Sequence, residues 1–277
     1  MSRKFRRRIG SLFSWPREYI DTIRYSKFGF TYGWNWRSHS GNLPLKESAT
    51  AATPEQNPLR AYFDSHKTGH GIFKWIHYFD IYHHHFEKFI GKEVNIVEVG
   101  VYSGGSLDMW RDYFGPRCTI YGIDIQEECK VYEKEGVRIF VGNQADREFW
   151  RSFRRSVPNV DILIDDGGHK PEQQRATLEE MLPHLRRGGM YVCEDVHGTN
   201  NKFMAYVAGL SRNLNTWALR PGELLAATPT EFQKDIHSIH LYPYLAVIEK
   251  LAAPSNQFAA PKHGTVWQPF LGPRSRH

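Results

Sequence analysis

Cysteine is scarce in this sequence, and long apolar runs are absent. The three cysteines, Cys118, Cys129 and Cys193, are odd in number within 277 residues. This excludes the disulfide framework of a small secreted domain and favours reduced thiols in a cytoplasmic protein. No apolar run approaches the roughly 18 residues that a membrane-spanning helix needs.

An even distribution of charge is also missing. The net charge is +6, yet residues 1–60 hold 11 Lys or Arg against 4 Asp or Glu. The remaining residues carry 25 basic and 26 acidic side chains, so they are close to neutral. The high isoelectric point therefore belongs to the N-terminal part, and we expect no nucleic-acid partner for the body of the protein.

Residues 1–58 are predicted to be a basic N-terminal arm and linker. The arm opens with basic and then apolar side chains: Arg3, Lys4, Arg6, Arg7, Arg8, Ile9, Leu12, Phe13 and Trp15. Its apolar part is too short and too aromatic for a signal peptide. This pattern permits an interfacial helix in peripheral contact with anionic lipid. The alternatives are a solvated arm, or one that packs on another subunit of a homo-oligomer.

Residues 59–250 are predicted to form the main domain, and residues 251–277 a Pro-rich tail. Residues 59–90 are expected to be a helical cover, interrupted near Gly69 and Gly71. From residue 94 onward, strands alternate with helices, which predicts an α/β fold with a doubly wound, mostly parallel Rossmann-like sheet. The predicted strands are 94–99, 118–124, 137–141, 160–165 and 189–194, and the predicted helices are 105–114, 146–156, 171–187 and 199–213. Two short strands, His237–Tyr242 and Leu245–Glu249, should close the sheet as an antiparallel hairpin.

The stretch Asn95–Trp110 predicts a buried strand, a glycine turn and the start of a helix, which together form half of a nucleotide-type cofactor site. Gly100 and Gly105 would fill two places of the dinucleotide fingerprint, but Tyr102 stands where pyrophosphate needs glycine. This argues against NAD or FAD and favours S-adenosylmethionine (SAM); a turn without a ligand is the alternative. Asp124, at the end of the second strand, is placed to accept ribose hydroxyls.

Two acidic pairs follow neighbouring predicted strands. Asp165 and Asp166 end the fourth strand, and Glu194 and Asp195 end the fifth. Adjacent carboxylates need cations or hydrogen-bond donors. Three hard oxygen ligands, from Asp166, Glu194 and Asp195, predict a Mg²⁺ site. The alternative is that these acids only cap helices and form turns; for Asp146, after the third strand, a helix N-cap and a site role are equally supported.

Histidine supplies the candidate general base. His169 lies three residues past Asp166, and its imidazole can take a proton near neutral pH. His197, after the fifth strand, is the competing candidate. The run His83–His85 cannot share one metal ion, because consecutive residues on a helix point about 100° apart.

The motifs VEVGVYSGGSLDMW, YGIDIQ, VGNQADREFW, DILIDDGGHK, GGMYVCEDVHG and SIHLYPYLAVIEK give residues 59–250 a resemblance to a known family. They resemble class I SAM-dependent methyltransferases, and more narrowly the Mg-dependent macrolide sugar O-methyltransferases of mycinamicin and tylosin type and the cephalosporin hydroxylase group. The resemblance implies that Glu98, Gly100 and Gly104 hold SAM and that Asp124 holds its ribose. It implies Mg²⁺ on the three acids named above and His169 as base. Ser106, Gln144 and Asp165 complete the predicted cofactor-binding set. Asn143 stands where the family usually has an acid.

The expected function is therefore Mg-assisted transfer of a methyl group from SAM to a hydroxyl of a sugar or similar diol-bearing metabolite. Two alternatives are a hydroxylase-like or oxidoreductase protein of the same group, and a glycan or natural-product assembly factor without methyl transfer. Iron in a hydroxylase would want histidine ligands, which the clustered carboxylates do not offer.

Overall fold

The computed structural model describes residues 17–35, 57–216, 226–261 and 263–264. The chain divides into two units, Met1–Ala51 and Ala52–His277. The described part of the first unit is one helix, α1 (Arg17–Trp34). The basic segment at positions 3–15 and most of the predicted linker lie outside the described residues. Among the helices that the structure describes, none combines the length and apolar character needed to cross a membrane.

The second unit is built on a seven-stranded sheet flanked by helices. In chain order its elements are α2 (Pro58–Ser65), α3 (Tyr78–Phe86), β1 (Val94–Val99), α4 (Gly105–Phe114), β2 (Cys118–Asp124), β3 (Val137–Val141), α5 (Arg147–Ser156), β4 (Val160–Asp165), α6 (Pro171–Met181), β5 (Leu185–Cys193), α7 (Lys202–Leu214), β6 (Ala226–Ala227), α8 (Glu231–Asp235), β7 (Ile236–Tyr242), β8 (Leu245–Lys250) and β9 (Phe258–Ala259). Short 3₁₀ turns cover Glu87–Phe89 and Glu127–Tyr132.

The order across the sheet is β3-β2-β1-β4-β5-β8-β7. The first five of these strands are parallel, while β8 pairs antiparallel with both β5 and β7. The chain moves outward from β1 through β2 to β3 and then returns to β4 beside β1. Ligands of such sheets bind beyond the carboxyl ends of the strands at this switch point. The predicted fold class, including the antiparallel hairpin, is confirmed.

Alternate residues of the strands fill two separate cores, one on each face of the sheet. Ile96 and Ile162 pack with the aromatic side chains of α3 and α4, including Trp110. Val97 and Leu163 face the other way, toward α5, α6 and α7. All six residues of β4 are buried. A strand buried on both faces carries a continuous apolar run, which explains why the central strands are legible from the sequence.

Three predicted boundaries differ from the structure by more than three residues. Residues 66–77 are irregular and separate α2 from α3, where one interrupted helix was expected. Gly69, with φ 98°, adopts a backbone conformation that stops a helix. Helix α6 ends at Met181 instead of residue 187, because Pro183 lacks the N–H that would extend it. Strand β5 accordingly begins at Leu185, earlier than the predicted residue 189.

Candidate active site

The turn between β1 and α4 is shaped by its glycines and by Asp124. A Cβ on Gly100, which has φ 92°, would overlap the carbonyl oxygen of Asp166. Asp124 Oδ2 accepts hydrogen bonds from the backbone N–H groups of Val101 (2.9 Å) and Tyr102 (3.1 Å). The acid at the end of β2 therefore holds the turn in place while it lines the adjacent cavity.

That cavity has a volume of about 1030 Å³ and lies at the carboxyl ends of the five parallel strands. Both the glycine turn and the acidic cluster contribute residues to its lining. Eight of the eleven predicted site residues line it: Gly100, Ser106, Asp124, Gln144, Asp166, His169, Glu194 and Asp195. Cofactor and acceptor could therefore meet in one space.

Glu98, Gly104 and Asp165 lie behind the cavity wall, although the sequence predicted that they bind the cofactor. Glu98 is fully buried and accepts hydrogen bonds from Ser106 Oγ (2.8 Å) and Trp110 Nε1 (3.0 Å). It joins β1 to the first turns of α4. Burial raises the pKa of Glu98, and these donors oppose that rise. Gly104, with φ 76°, makes room for the ring of Tyr132.

Asp165 is likewise an internal residue with its own partners. It accepts hydrogen bonds from Gln144 Nε2 (2.8 Å) and Tyr191 OH (2.8 Å). The other end of the same amide, Gln144 Oε1, accepts from the backbone N–H of Gly168 (2.7 Å). Gln144 thus connects the end of β3 to the loop after β4. Asp165 and Gln144 fix the loop that presents Asp166 and His169.

A lysine lies within the acidic cluster, and sequence analysis did not identify it. Lys74 Nζ is 2.6 Å from Asp166 Oδ2, 2.7 Å from Glu194 Oε1 and 3.7 Å from Glu98 Oε1. Its side chain is only 3% exposed. Burial alone would lower the pKa of Lys74, but the three carboxylates raise it well above the ordinary value. Lys74 is therefore a protonated internal cation.

Glu194 faces this lysine and a buried phenol. It accepts a hydrogen bond from Tyr82 OH in addition to the one from Lys74. Burial, and then the neighbouring charge of Asp166, raise the pKa of Glu194 to about 8 in spite of these donors. The predicted metal ligand Glu194 is thus already paired with a cation.

Asp195 has different neighbours. Its Oδ1 accepts hydrogen bonds from Trp75 Nε1 (3.0 Å) and Tyr78 OH (3.0 Å). Its Oδ2 lies 3.7 Å from His169 Nε2, which is 3.9 Å from Asp166 Oδ1. Donor atoms of these two acids and the histidine all lie within 4.8 Å of one another, a spacing compatible with one metal ion.

Non-glycine residues with positive φ cluster around this cavity. They include Tyr102 (49°), His169 (52°) and Asp195 (54°), all of which line it. Such backbone conformations persist only where the surrounding structure holds them, and they concentrate at functional sites. His197 is absent from the lining, and its ring packs against Tyr244 at 5.8 Å. The structure thus brings His169, and not its competitor, to the acids.

Residues 59–90, called here the covering segment, contain most of the site residues that sequence analysis missed. Lys74, Tyr78 and Tyr82 recur every four residues, and their polar ends donate hydrogen bonds to the acids after β4 and β5. Of these three residues only Tyr82 belongs to the series of aromatic residues at helical spacing, with Phe86 and Phe89, that the sequence shows in this segment. The hydroxyl groups of Tyr78 and Tyr82 could have indicated contacts with the acids, since buried Tyr hydroxyl groups usually find a hydrogen-bond partner.

Comparisons with known proteins agree with this geometry. Residues 97–196 match a family model described as a methyltransferase domain. Mycinamicin VI 2''-O-methyltransferase of Micromonospora griseorubida is 32% identical over 199 residues, which are 64% of this chain and 49% of that protein. A tetracenomycin-C 2'-O-methyltransferase of Streptomyces olivaceus, acting on the 8-demethyl-8-alpha-L-rhamnosyl compound, is 32% identical over 66% of this chain and 53% of that protein.

Over this region the chain is similar to methyltransferases. Its fold is similar to that of the MycE methyltransferase from the mycinamycin biosynthetic pathway, solved in complex with Mg and SAH, with a TM-score of 0.58 and 27% identity. The likeness covers 70% of this chain and 54% of that one. The chain spans about half the length of the curated relatives it matches. The domain has the class I methyltransferase fold that its motifs predicted.

Proposed function

We propose that this protein is a SAM-dependent O-methyltransferase that moves a methyl group to a hydroxyl of a sugar or similar diol-bearing metabolite, assisted by Mg²⁺. One observation carries the proposal: the glycine turn and a cluster of carboxylates with a histidine line the same cavity. The similar proteins named above are O-methyltransferases of glycosides. The free, buried cysteines suit a cytoplasmic location.

The cofactor would lie between the glycine turn and the ends of β2 and β3. Asp124 is placed to receive the ribose hydroxyls, and Gly100 leaves the backbone open to the ligand. Ser106 and Gln144 also line this part of the cavity. Glu98 and Asp165 would act indirectly, because they hold α4 and the loop after β4. When bound, SAM supplies an already activated methyl group, so the protein's task is mostly positioning.

The donor set fits a divalent cation. Three carboxylates, from Glu98, Asp166 and Glu194, lie within 4 Å of the Lys74 ammonium, and Asp195 adds a fourth beside His169. Asp166 and Asp195 would hold the ion beside His169. Glu194 would join them only by giving up its contact with the lysine. When bound, Mg²⁺ supplies a Lewis acid that lowers the pKa of the acceptor hydroxyl.

His169 would remove the proton of the acceptor. Its Nε2 lies near both Asp166 and Asp195, and its side chain is 38% exposed, so an acceptor can reach it. His169 thus links the acid cluster to the open part of the cavity.

The acceptor would enter past the covering segment. Phe73 and Trp75 line the cavity and are 89% and 50% exposed. Exposed aromatic rings beside a polar cluster suit a ligand with apolar faces and hydroxyl edges, as a sugar has.

The decisive experiment is methyl transfer from isotopically labelled SAM to candidate glycosides, with and without EDTA. Titration calorimetry with SAM and NADH should show binding of SAM alone, and this binding should survive EDTA while turnover does not.

Asp166→Asn should abolish turnover and leave SAM affinity within a few-fold. The exposed residue Glu172 offers a control, Glu172→Gln, which should keep full activity. Binding of NADH instead of SAM would contradict the proposal, and full activity of Asp166→Asn would contradict the metal assignment.

A further inference from the structure

A second group of metal-ligating side chains lies away from the cavity. His85 from α3, His240 from β7 and Glu249 from β8 bring one donor atom each to within 4.8 Å of the other two. None of them lines the cavity. The group joins the end of α3 to the antiparallel hairpin, and its residues have no part in the proposed methyl transfer.

The three side chains already lie close to one another. His85 Nδ1 lies 2.8 Å from Glu249 Oε1, and the rings of His85 and His240 are 4.9 Å apart with planes inclined at 66°. The other nitrogen of His85 contacts Tyr242 OH at 2.9 Å. Ser238 Oγ lies 2.9 Å from His240 Nε2 and 3.4 Å from Glu249 Oε2. Each ligand therefore has a neighbour that fixes its orientation.

We propose that His85, His240 and Glu249 form a site for a divalent transition-metal ion of the Zn²⁺ class. Two imidazoles and one carboxylate are a donor set that Zn²⁺ prefers, whereas Mg²⁺ and Ca²⁺ prefer oxygen ligands. Zinc bonds of about 2.0–2.1 Å put neighbouring ligand atoms roughly 3.4 Å apart. The separation between His85 Nδ1 and Glu249 Oε1 is 2.8 Å and no separation between the three donor atoms exceeds 4.8 Å, so small side-chain rotations complete the site.

The surroundings agree with this assignment. His85 is buried, while His240 and Glu249 are half-buried, which leaves a path for the ion and a position for water. Tyr242 and Ser238 stand where hydrogen-bond partners of metal ligands usually stand. Lys88 Nζ, 3.7 Å from Glu249 Oε1, is the nearby competing cation; its side chain is 47% exposed and can turn to solvent.

A metal ion at this site would hold helix α3 against strands β7 and β8. His85 lies one turn after Tyr82, whose hydroxyl donates to Glu194. An ion held by residues of α3, β7 and β8 would fix this helix against two strands distant in sequence. The role is structural and does not depend on the methyltransferase activity.

The test is Zn²⁺ titration of untagged, EDTA-treated protein in excess Mg²⁺, which occupies oxygen-rich sites. The wild type should bind Zn²⁺ at this group, and His240→Ala should remove one equivalent or weaken it by at least about tenfold. The control is His84→Ala, because His84 is exposed and adjacent to His85 on α3. It should leave the affinity within about twofold, as should His169→Ala, which reports on the cavity.

Co²⁺ offers a second readout. The visible absorption of a four-coordinate Co²⁺ ion with nitrogen ligands should appear in the wild type and in His84→Ala, and should be lost in His240→Ala and in Glu249→Gln. Thermal unfolding without metal checks that each variant is folded. Absence of Zn²⁺ binding in the wild type, or equal affinity in the His84 and His240 variants, would overturn the proposal.

Discussion

At the scale of single residues, the pairing of Lys74 with the acids after β4 and β5 decides the electrostatics of the site. An ammonium that is 3% exposed lies within 4 Å of three carboxylates. Its partners Asp166 and Glu194 are 92 and 120 residues away in the sequence. No local pattern encodes such a pairing. The sequence did reveal the acids, because each pair directly follows a recognisable buried strand.

Lys74→Met tests this pairing. The variant keeps the length of the side chain but leaves buried carboxylates without their cation, which costs about 3–5 kcal/mol when one partner of a buried pair is removed. We expect the metal-free variant to unfold at a clearly lower urea concentration, and Mg²⁺ to raise its melting temperature more than that of the wild type. Lys92→Met, at an exposed lysine, should change stability by no more than about 0.5 kcal/mol. Equal losses in both variants would contradict the assignment.

At the scale of elements, the segment between α2 and α3 shows where the sequence is ambiguous. Its aromatic side chains recur with helical spacing, yet residues 66–77 are irregular. The helical spacing belongs to α3, which begins at Tyr78. The preceding residues are placed by contacts of Lys74 and Trp75 with the acids after β4 and β5. The central strands carried no such ambiguity, since Ile162, Leu163 and Ile164 form a buried apolar run directly before the acid that ends β4. The sequence therefore predicted the strands of the sheet better than the structure of residues 59–90.

Two glycine substitutions test whether residues 66–77 pack against α4. A Cβ on Gly105, at the start of α4, would collide with the backbone oxygens of His70 and Gly71 in the covering segment. Gly105→Ala should therefore destabilise the protein by about 1–3 kcal/mol. A Cβ on Gly209, within α7, would meet nothing within 4 Å. Gly209→Ala should stabilise it by up to about 1 kcal/mol, because alanine favours the helix. Urea unfolding of both variants measures the difference; a stabilising Gly105→Ala would show that the cover does not lie against α4.

At the scale of the whole molecule, the two cores enclose all three cysteines. Burial raises the pKa of Cys118 to about 12 and that of Cys129 to about 11, and burial likewise raises the pKa of Cys193. A thiol whose pKa is raised stays protonated, and therefore unreactive, as the pH rises toward that value. The scarcity of cysteine in the sequence predicted free thiols; their inertness is a consequence of packing.

Thiol titration at pH 8 checks this arrangement. We expect slow reaction of the folded protein with a disulfide reagent, and rapid reaction of three thiols after denaturation. Cys129 lines the cavity, so any residual reactivity should come mainly from this residue and should fall when SAM is added. A Cys129→Ser variant supplies the comparison. Fast reaction of all three thiols in the folded state would contradict the described packing.

The hydroxyl of Tyr78 has a consequence for engineering. It donates to the backbone oxygen of Tyr244 in the β7–β8 turn (2.9 Å) and also to Asp195 (3.0 Å). The backbone N–H of Val196 bonds to that same oxygen at 3.0 Å. Shortening or replacing the terminal hairpin would therefore disturb Asp195, one of the proposed metal ligands. The hairpin follows all the predicted cofactor-site motifs in the sequence, yet its turn supports the position of Asp195. A shortened fragment intended to keep the proposed activity must therefore include it.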